Sequence, residues 1–121
     1  MNSNAPIEWR EVRLTFPEFR AGRELWSDAL MPQVTKQLAE QGCCQPDDRR
    51  YHVFMEVVEG RARPAKDVDN YYKPIIDTVT KTQLAWRDDC QVDHVTVRRT
   101  ISAGQAVTTV TITITAVPAG R

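Results

Sequence analysis

Residues Val107 to Val117 read VTTVTITITAV, and they can fold in essentially one way. Val110, Ile112 and Ile114 fall on one side of an extended chain, and Thr109, Thr111, Thr113 and Thr115 on the other. Period two over so many β-branched residues predicts a strand with one face in a core and one face more polar. A strand of that kind needs partners. The upstream sequence supplies them.

IEWREVRLTF at 7–16 alternates toward its end and predicts a first strand that stops at Pro17. Residues 23–41 carry Leu30, Val34 and Leu38 four apart and predict a helix, with Pro32 expected to kink or split it near Met31 and Gly42 as the residue that ends it. CCQPDDRR reads as a polar loop, with Asp47 and Asp48 as loop solvation. YHVFMEVV at 51–58 predicts a second strand, on which His52 is a surface or sheet-face residue rather than a ligand. Tyr72, Ile75, Ile76 and Val79 recur at helical spacing, and Pro74 argues for a helix start near Asp69 or Asn70. Val92 to Arg99 alternates again and is expected to form a hairpin with the last strand. The expectation is therefore a single domain over 1–121 of class α/β (α+β). It has a small mixed sheet of about four strands with two packed helices, in the order β-α-β-α-β-β.

Bulk properties exclude several classes. No apolar run approaches the ~20 residues of a membrane span. The N-terminus has neither the basic nor the apolar part of a signal peptide, so the default compartment is cytoplasmic. Three cysteines, two of them adjacent, do not make a disulfide framework. Cys43, Cys44, Cys90 and His94 fit no familiar zinc spacing. The net charge is zero, but residues 1–60 sum to −3 and residues 61–121 to +3. Five of the six acids of the second half lie between Asp67 and Asp89. If those acids hold a cation, the surrounding Lys and Arg are left to face phosphate.

The acids have a pattern. Asp67 and Asp69 form an Asp-x-Asp pair after the basic loop RARPAK, Lys73 and Asp77 follow Asp69 at intervals of four on one helix edge, and Asp88-Asp89 lies beyond the helix. Short, rigid carboxylates brought together suit a hard divalent ion, which binds one or two carboxylates, waters and phosphate oxygens. An ammonium one turn away suits the extra charge of a phosphodiester under attack. Each element alone is usually a solvated loop or a surface pair; the combination at this spacing points to metal-dependent phosphodiester hydrolysis.

Lys66-Asp67-Val68-Asp69-Asn70-Tyr71-Tyr72-Lys73, with Asp77, and then Leu84-Ala85-Trp86-Arg87-Asp88-Asp89-Cys90-Gln91-Val92, resemble the RusA family of Holliday junction resolvases. The resemblance covers about a third of the chain. It implies a homodimeric, Mg²⁺-dependent endodeoxyribonuclease, with Mn²⁺ as a substitute, that nicks four-way DNA and is often encoded by phages. By position it implies Asp67, Asp69 and Asp89 as metal-binding carboxylates, with Asp88 as an auxiliary, and Lys73 as the essential cation. Asp77 matches a common family acid. Arg61, Arg63, Lys66, Arg87, Arg98 and Arg99 are the candidate phosphate contacts. The chain departs from the family pattern in its net charge of zero, which is low for the family, and in three local features. The Asp77–Asp88 segment is one residue longer, Thr82-Gln83-Leu84 stands where a Gly-containing turn is usual, and the Pro-Pro-Ser-x-Asn type of loop is absent. Alternatives are another branched or duplex DNA specificity, or a non-catalytic DNA-binding relative. For the dimer interface, the sequence suggests Val107–Val117 or the first helix.

Overall fold

The computed structural model describes residues 9–19, 24–60 and 69–117, with helical side chains from Ala29 and from Tyr71 onward. The elements are β1 (Glu11–Phe16), α1 (Glu24–Glu40), β2 (Tyr51–Gly60), α2 (Asp69–Thr82), β3 (Val92–Ser102) and β4 (Thr109–Ala116), with a one-turn 3-10 helix at Asp89–Gln91. This is the mixed α/β arrangement that periodicity predicts. The sheet order is β1-β4-β2-β3; β4 runs antiparallel to both β1 and β2, while β3 runs parallel to β2.

The expected hairpin of the last two strands does not form. β2 lies between them, paired with β3 on one side and β4 on the other. Alternation fixes which side chains share a face but not which strands are neighbours. Even the outward residues Glu56 and Val58 of β2 are half-buried, as befits an interior strand. The β3–β4 connection passes over the end of β2, where a Cβ on Gly60 would lie 2.8 Å from backbone atoms of Ala106 and Val107. Glycine is needed there because the chains cross in contact.

One face of the sheet carries the core. Val12, Leu14, Phe16, Val53, Met55, Val57, Val110, Ile112 and Ile114 are buried there, together with Leu30, Val34 and Leu38 of α1 and Tyr71, Ile75, Ile76 and Val79 of α2. The opposite face has no helix on it among the described residues, and His52, Phe54, Thr96 and Arg98 are exposed along it. His52 and His94 are cross-strand neighbours there, with ring centroids 5.4 Å apart.

α1 runs unbroken through Pro32 rather than splitting. A proline forgoes one helical hydrogen bond, and the buried Leu30, Val34 and Leu38 on either side of it hold the helix to the sheet. Gly42 ends it as expected, at φ 93°. α1 also closes the outer edge of β1. Gln37 exchanges two hydrogen bonds with the Thr15 backbone (2.8 and 3.0 Å), and Gln41 does the same with Arg13 (2.8 and 2.7 Å). Two glutamine amides thereby occupy backbone groups that would otherwise be open to another strand.

Asp47 is not loop solvation. It is buried, ion-pairs with Arg49 at 2.9 Å and accepts a hydrogen bond from the Tyr51 hydroxyl. The Arg49 guanidinium lies 4.6 Å over the Trp9 ring, and Trp9 stacks on Tyr51. Burial, and then the neighbouring Asp47, push the Tyr51 phenol well above its ordinary range. A solvated pair and a buried one look identical in sequence; here Arg49 and Tyr51, two and four residues on, make the difference. Asp48 is exposed, as expected, and meets Arg87 at 2.9 Å.

Candidate active site

α2 presents its apolar stripe to the core, which leaves Lys73 and Asp77 exposed on the opposite edge. Asp69 is the first residue of the helix; Asp67, Arg61, Arg63 and Lys66 lie outside the described residues. α2 continues through Pro74 to Thr82, and Gln83 then takes a left-handed conformation at φ 54°. The conformation is strained for a side-chain-bearing residue. Gln83 offsets the strain by donating to the Thr80 carbonyl at 2.8 Å and the Arg87 carbonyl at 3.0 Å.

The Arg87–Gln91 turn is held just as firmly from below. Gln91 is buried, and its amide oxygen accepts from the backbone N–H groups of Arg87 (2.8 Å) and Asp88 (3.1 Å). Its amide nitrogen donates to the carbonyls of Asp47 and Arg49, both at 2.8 Å. One side chain thus ties the acidic turn to the strand entering the core. Trp86, fully buried, donates to the Thr80 hydroxyl at 2.6 Å and anchors the same turn to α2.

Within the turn the two aspartates have different surroundings. Asp88 caps the 3-10 helix, accepting from the Cys90 N–H at 3.1 Å, and that bond holds its carboxyl below the ordinary range. Asp89 is pushed up, first by its side-chain hydrogen bond to Asp88, then by desolvation and by the charges of Asp88 and Asp77. Burial raises the Tyr72 phenol, and the charges of Asp89 and Asp77 raise it further. Asp89, Asp77 and Tyr72 therefore share one neighbourhood, and Asp88 is joined to it through its hydrogen bond to Asp89. Tyr72 is the residue that sequence reading assigns wholly to the core; its polar end belongs to this acidic patch.

The structure does not unite all the expected residues. Asp77 lies eight residues after Asp69, about 12 Å of helix rise along α2. Arg98 points to the sheet face away from the helices, opposite Glu56. Arg99 points to the core side, 3.8 Å from Glu59. Arg87 is exposed but paired with Asp48. No group of three or more His, Cys, Asp or Glu arranged for a metal occurs among the described residues. Cys43 is buried while Cys44 and Cys90 are exposed, all three as free thiols.

The sequence model of the family described as Endodeoxyribonuclease RusA matches residues 28–115. This chain belongs to the RusA family. The match spans most of α1, all of β2, α2 and β3, and most of β4, so it includes every acid of the patch described above. The family is one of Holliday junction endodeoxyribonucleases. No curated protein matches the chain. Among solved structures, the crystal structure of the HypE-HypF complex is similar at 10% identity and TM-score 0.40, over 92% of this chain and 34% of that one. E. coli HypE, a hydrogenase maturation protein, is similar at 11% identity and TM-score 0.38, over 94% of this chain and 34% of that one. The chain thus spans about a third of those structures. No helix among the described residues is long and apolar enough to cross a membrane.

Proposed function

We propose that this RusA-family chain is a Mg²⁺-dependent endodeoxyribonuclease that resolves four-way junctions by paired nicks, in DNA recombination and repair. The observation that carries the reading is the pinned turn that brings Asp89 to the polar edge of α2, beside Tyr72 and Asp77 and on the helix headed by Asp69. The donor set fits a hard cation. It consists of carboxylates, and the Asp89 carboxyl is pushed above its ordinary range, first by its hydrogen bond to Asp88, then by desolvation and by the charges of Asp88 and Asp77. Asp67, Asp69 and Asp89 would hold the ion. Asp88 is the cap that orients Asp89.

When bound, the ion supplies charge stabilisation at the phosphate and lowers the pKa of an attacking water. Lys73, exposed one turn after Asp69, supplies a second positive charge beside the phosphate as negative charge builds on its oxygens. The products are a 5′-phosphate and a 3′-hydroxyl. Arg61, Arg63, Lys66 and Arg87 are the cations we assign to the DNA backbone. Arg98 and Arg99 drop out of that set because one faces the far side of the sheet and the other faces Glu59.

A four-way junction has near two-fold symmetry, so paired nicks call for a homodimer. β4 is an unsuitable interface. It is an interior strand whose Val110, Ile112 and Ile114 are buried in the core. The sheet edge at β3 is the better surface: β1 is closed by Gln37 and Gln41, whereas β3 is an edge strand with Val95 and Ile101 exposed.

The test is cleavage of a labelled synthetic four-way junction in Mg²⁺, beside flap and linear duplex controls, by wild type, Asp69→Asn, Asp89→Asn and Asp88→Asn. Asparagine caps a helix about as well as aspartate, so Asp88→Asn retains most activity, whereas Asp69→Asn and Asp89→Asn lose it. Symmetric nicks near the crossover support the resolvase. Equal cutting of flaps or duplex removes junction specificity, and tight binding without cleavage in Mg²⁺ or Mn²⁺ removes catalysis.

A further inference from the structure

Glu59 is a buried carboxylate that the reading above leaves unused. It is the penultimate residue of β2, its side chain is 2% exposed, and it points to the core side of the sheet. Placing a carboxylate there instead of a hydrocarbon carries a desolvation penalty, and a well-packed apolar residue serves stability equally well. The partners of Glu59 indicate another role. Tyr71, the third residue of α2, donates its hydroxyl to Glu59 Oε2, and Arg99 of β3 places Nε 3.8 Å from Glu59 Oε1. Tyr71 is itself buried and packs on Phe19 with ring centroids 5.7 Å apart. Phe19 in turn is tied to the Thr108 carbonyl at 2.8 Å, and the Thr108 hydroxyl accepts from the Gly60 N–H at 3.2 Å.

These contacts join the end of β2 to the first turn of α2 across residues 61–68. We infer that Glu59 and Tyr71, steadied by Arg99, form a clasp that positions the head of α2, and so sets Asp69 in the geometry the divalent ion requires. The inference rests on the metal-nuclease reading for the ion's identity, but it concerns two residues outside the set assigned above to the ion and the DNA. Glu59 and Tyr71 are positioning residues. The core contacts of α2 farther along, through Ile75, Ile76 and Val79, fix the helix axis whether or not the clasp is made. The clasp controls rotation and fraying at the end where Asp69 sits, because the first turn of a helix lacks the hydrogen bonds that order its interior.

Tyr71→Phe removes one hydroxyl and keeps the ring on Phe19. Glu59→Gln keeps the shape and leaves an amide oxygen to accept from Tyr71. Mn²⁺ binding followed by electron paramagnetic resonance reads the site without requiring turnover, and Mg²⁺ titration of junction cleavage reads it through activity. Urea denaturation of each variant confirms that the protein measured is folded. The expected result is that Tyr71→Phe weakens Mn²⁺ binding, and raises the Mg²⁺ needed for half-maximal cleavage, about tenfold, while the rate at saturating Mg²⁺ falls less than threefold. Glu59→Gln is expected to stay within about twofold of wild type, the rescue that a hydrogen-bond clasp requires. A merely structural Tyr71 would lower the folded fraction and leave the metal requirement of folded molecules unmoved; that outcome overturns the clasp. If wild type fails to cleave junctions but binds Mn²⁺ and Tyr71→Phe weakens that binding, the clasp stands and the nuclease reading falls. If wild type cleaves and Tyr71→Phe matches it in both titrations, the nuclease reading stands and the clasp falls. Failure of wild type to bind Mn²⁺ overturns both.

Discussion

Changing Gln91 to Glu replaces one NH₂ group with an oxygen and leaves the side chain's shape intact. The wild-type nitrogen donates to two carbonyls, those of Asp47 and Arg49, at 2.8 Å each. Losing two such bonds removes about 2 kcal/mol, and leaving two buried carbonyls without donors, facing an anion, adds about 2 kcal/mol more. The accepting side is kept, so Arg87 and Asp88 N–H groups retain their partner. With a urea m-value of about 2 kcal/mol/M for a chain this size, the midpoint falls by about 2 M at pH 7. The deficit must depend on pH. The two carbonyls and the buried site disfavour the charged form, so the carboxyl of the variant has a folded pKa raised above its unfolded value of about 4.3. Its charge penalty is absent below about pH 4.3, grows as the unfolded chain alone ionises, and is complete above the folded pKa. Urea melts of variant and wild type at matched pH, from 4 to 7, measure this. A Q91E protein within 1 kcal/mol of wild type at pH 7, or a deficit that does not shrink on acidification, would refute the role given to Gln91. The displaced turn should also cost Asp89 its place, so junction cleavage falls with stability.

Three further outcomes follow from the same geometry. Asp47→Ala removes the ion-pair partner of the half-buried Arg49 and the nearer acceptor of the Tyr51 hydroxyl, and should destabilise by about 3 kcal/mol in urea melts, whereas Asp48→Ala, whose pair with Arg87 is exposed, should be nearly neutral. Gly60→Ala drives a methyl against the Ala106 and Val107 backbone and should cost about 3 kcal/mol; Gly104→Ala, with nothing within 4 Å, is the neutral control. Burial pushes the Cys43 thiol up to about 12, so native alkylation at pH 8 followed by peptide mapping should label Cys44 and Cys90 and spare Cys43 until the chain is unfolded.

The sequence by itself determined the elements and the family. Alternation at β4 and helical spacing on α2 are local patterns, enforced by which face of each element meets the core, so they are written into every few residues. The acid spacing of Asp67, Asp69, Asp88 and Asp89 with Lys73 is equally local, and it carried the family. Tertiary structure decided what depends on distant partners. It placed β2 between β3 and β4, because alternation specifies faces and is silent about neighbours. It made Asp47 a buried anchor while its neighbour Asp48 stayed in solvent, since burial is decided by Trp9, Arg49 and Tyr51 together. It gave adjacent Asp88 and Asp89 different surroundings, because Asp88 caps the 3-10 turn at the Cys90 N–H while Asp89, hydrogen-bonded to Asp88, also feels the charge of Asp77. It also turned Arg98 and Arg99 to opposite faces of the sheet, since adjacent residues on a strand diverge.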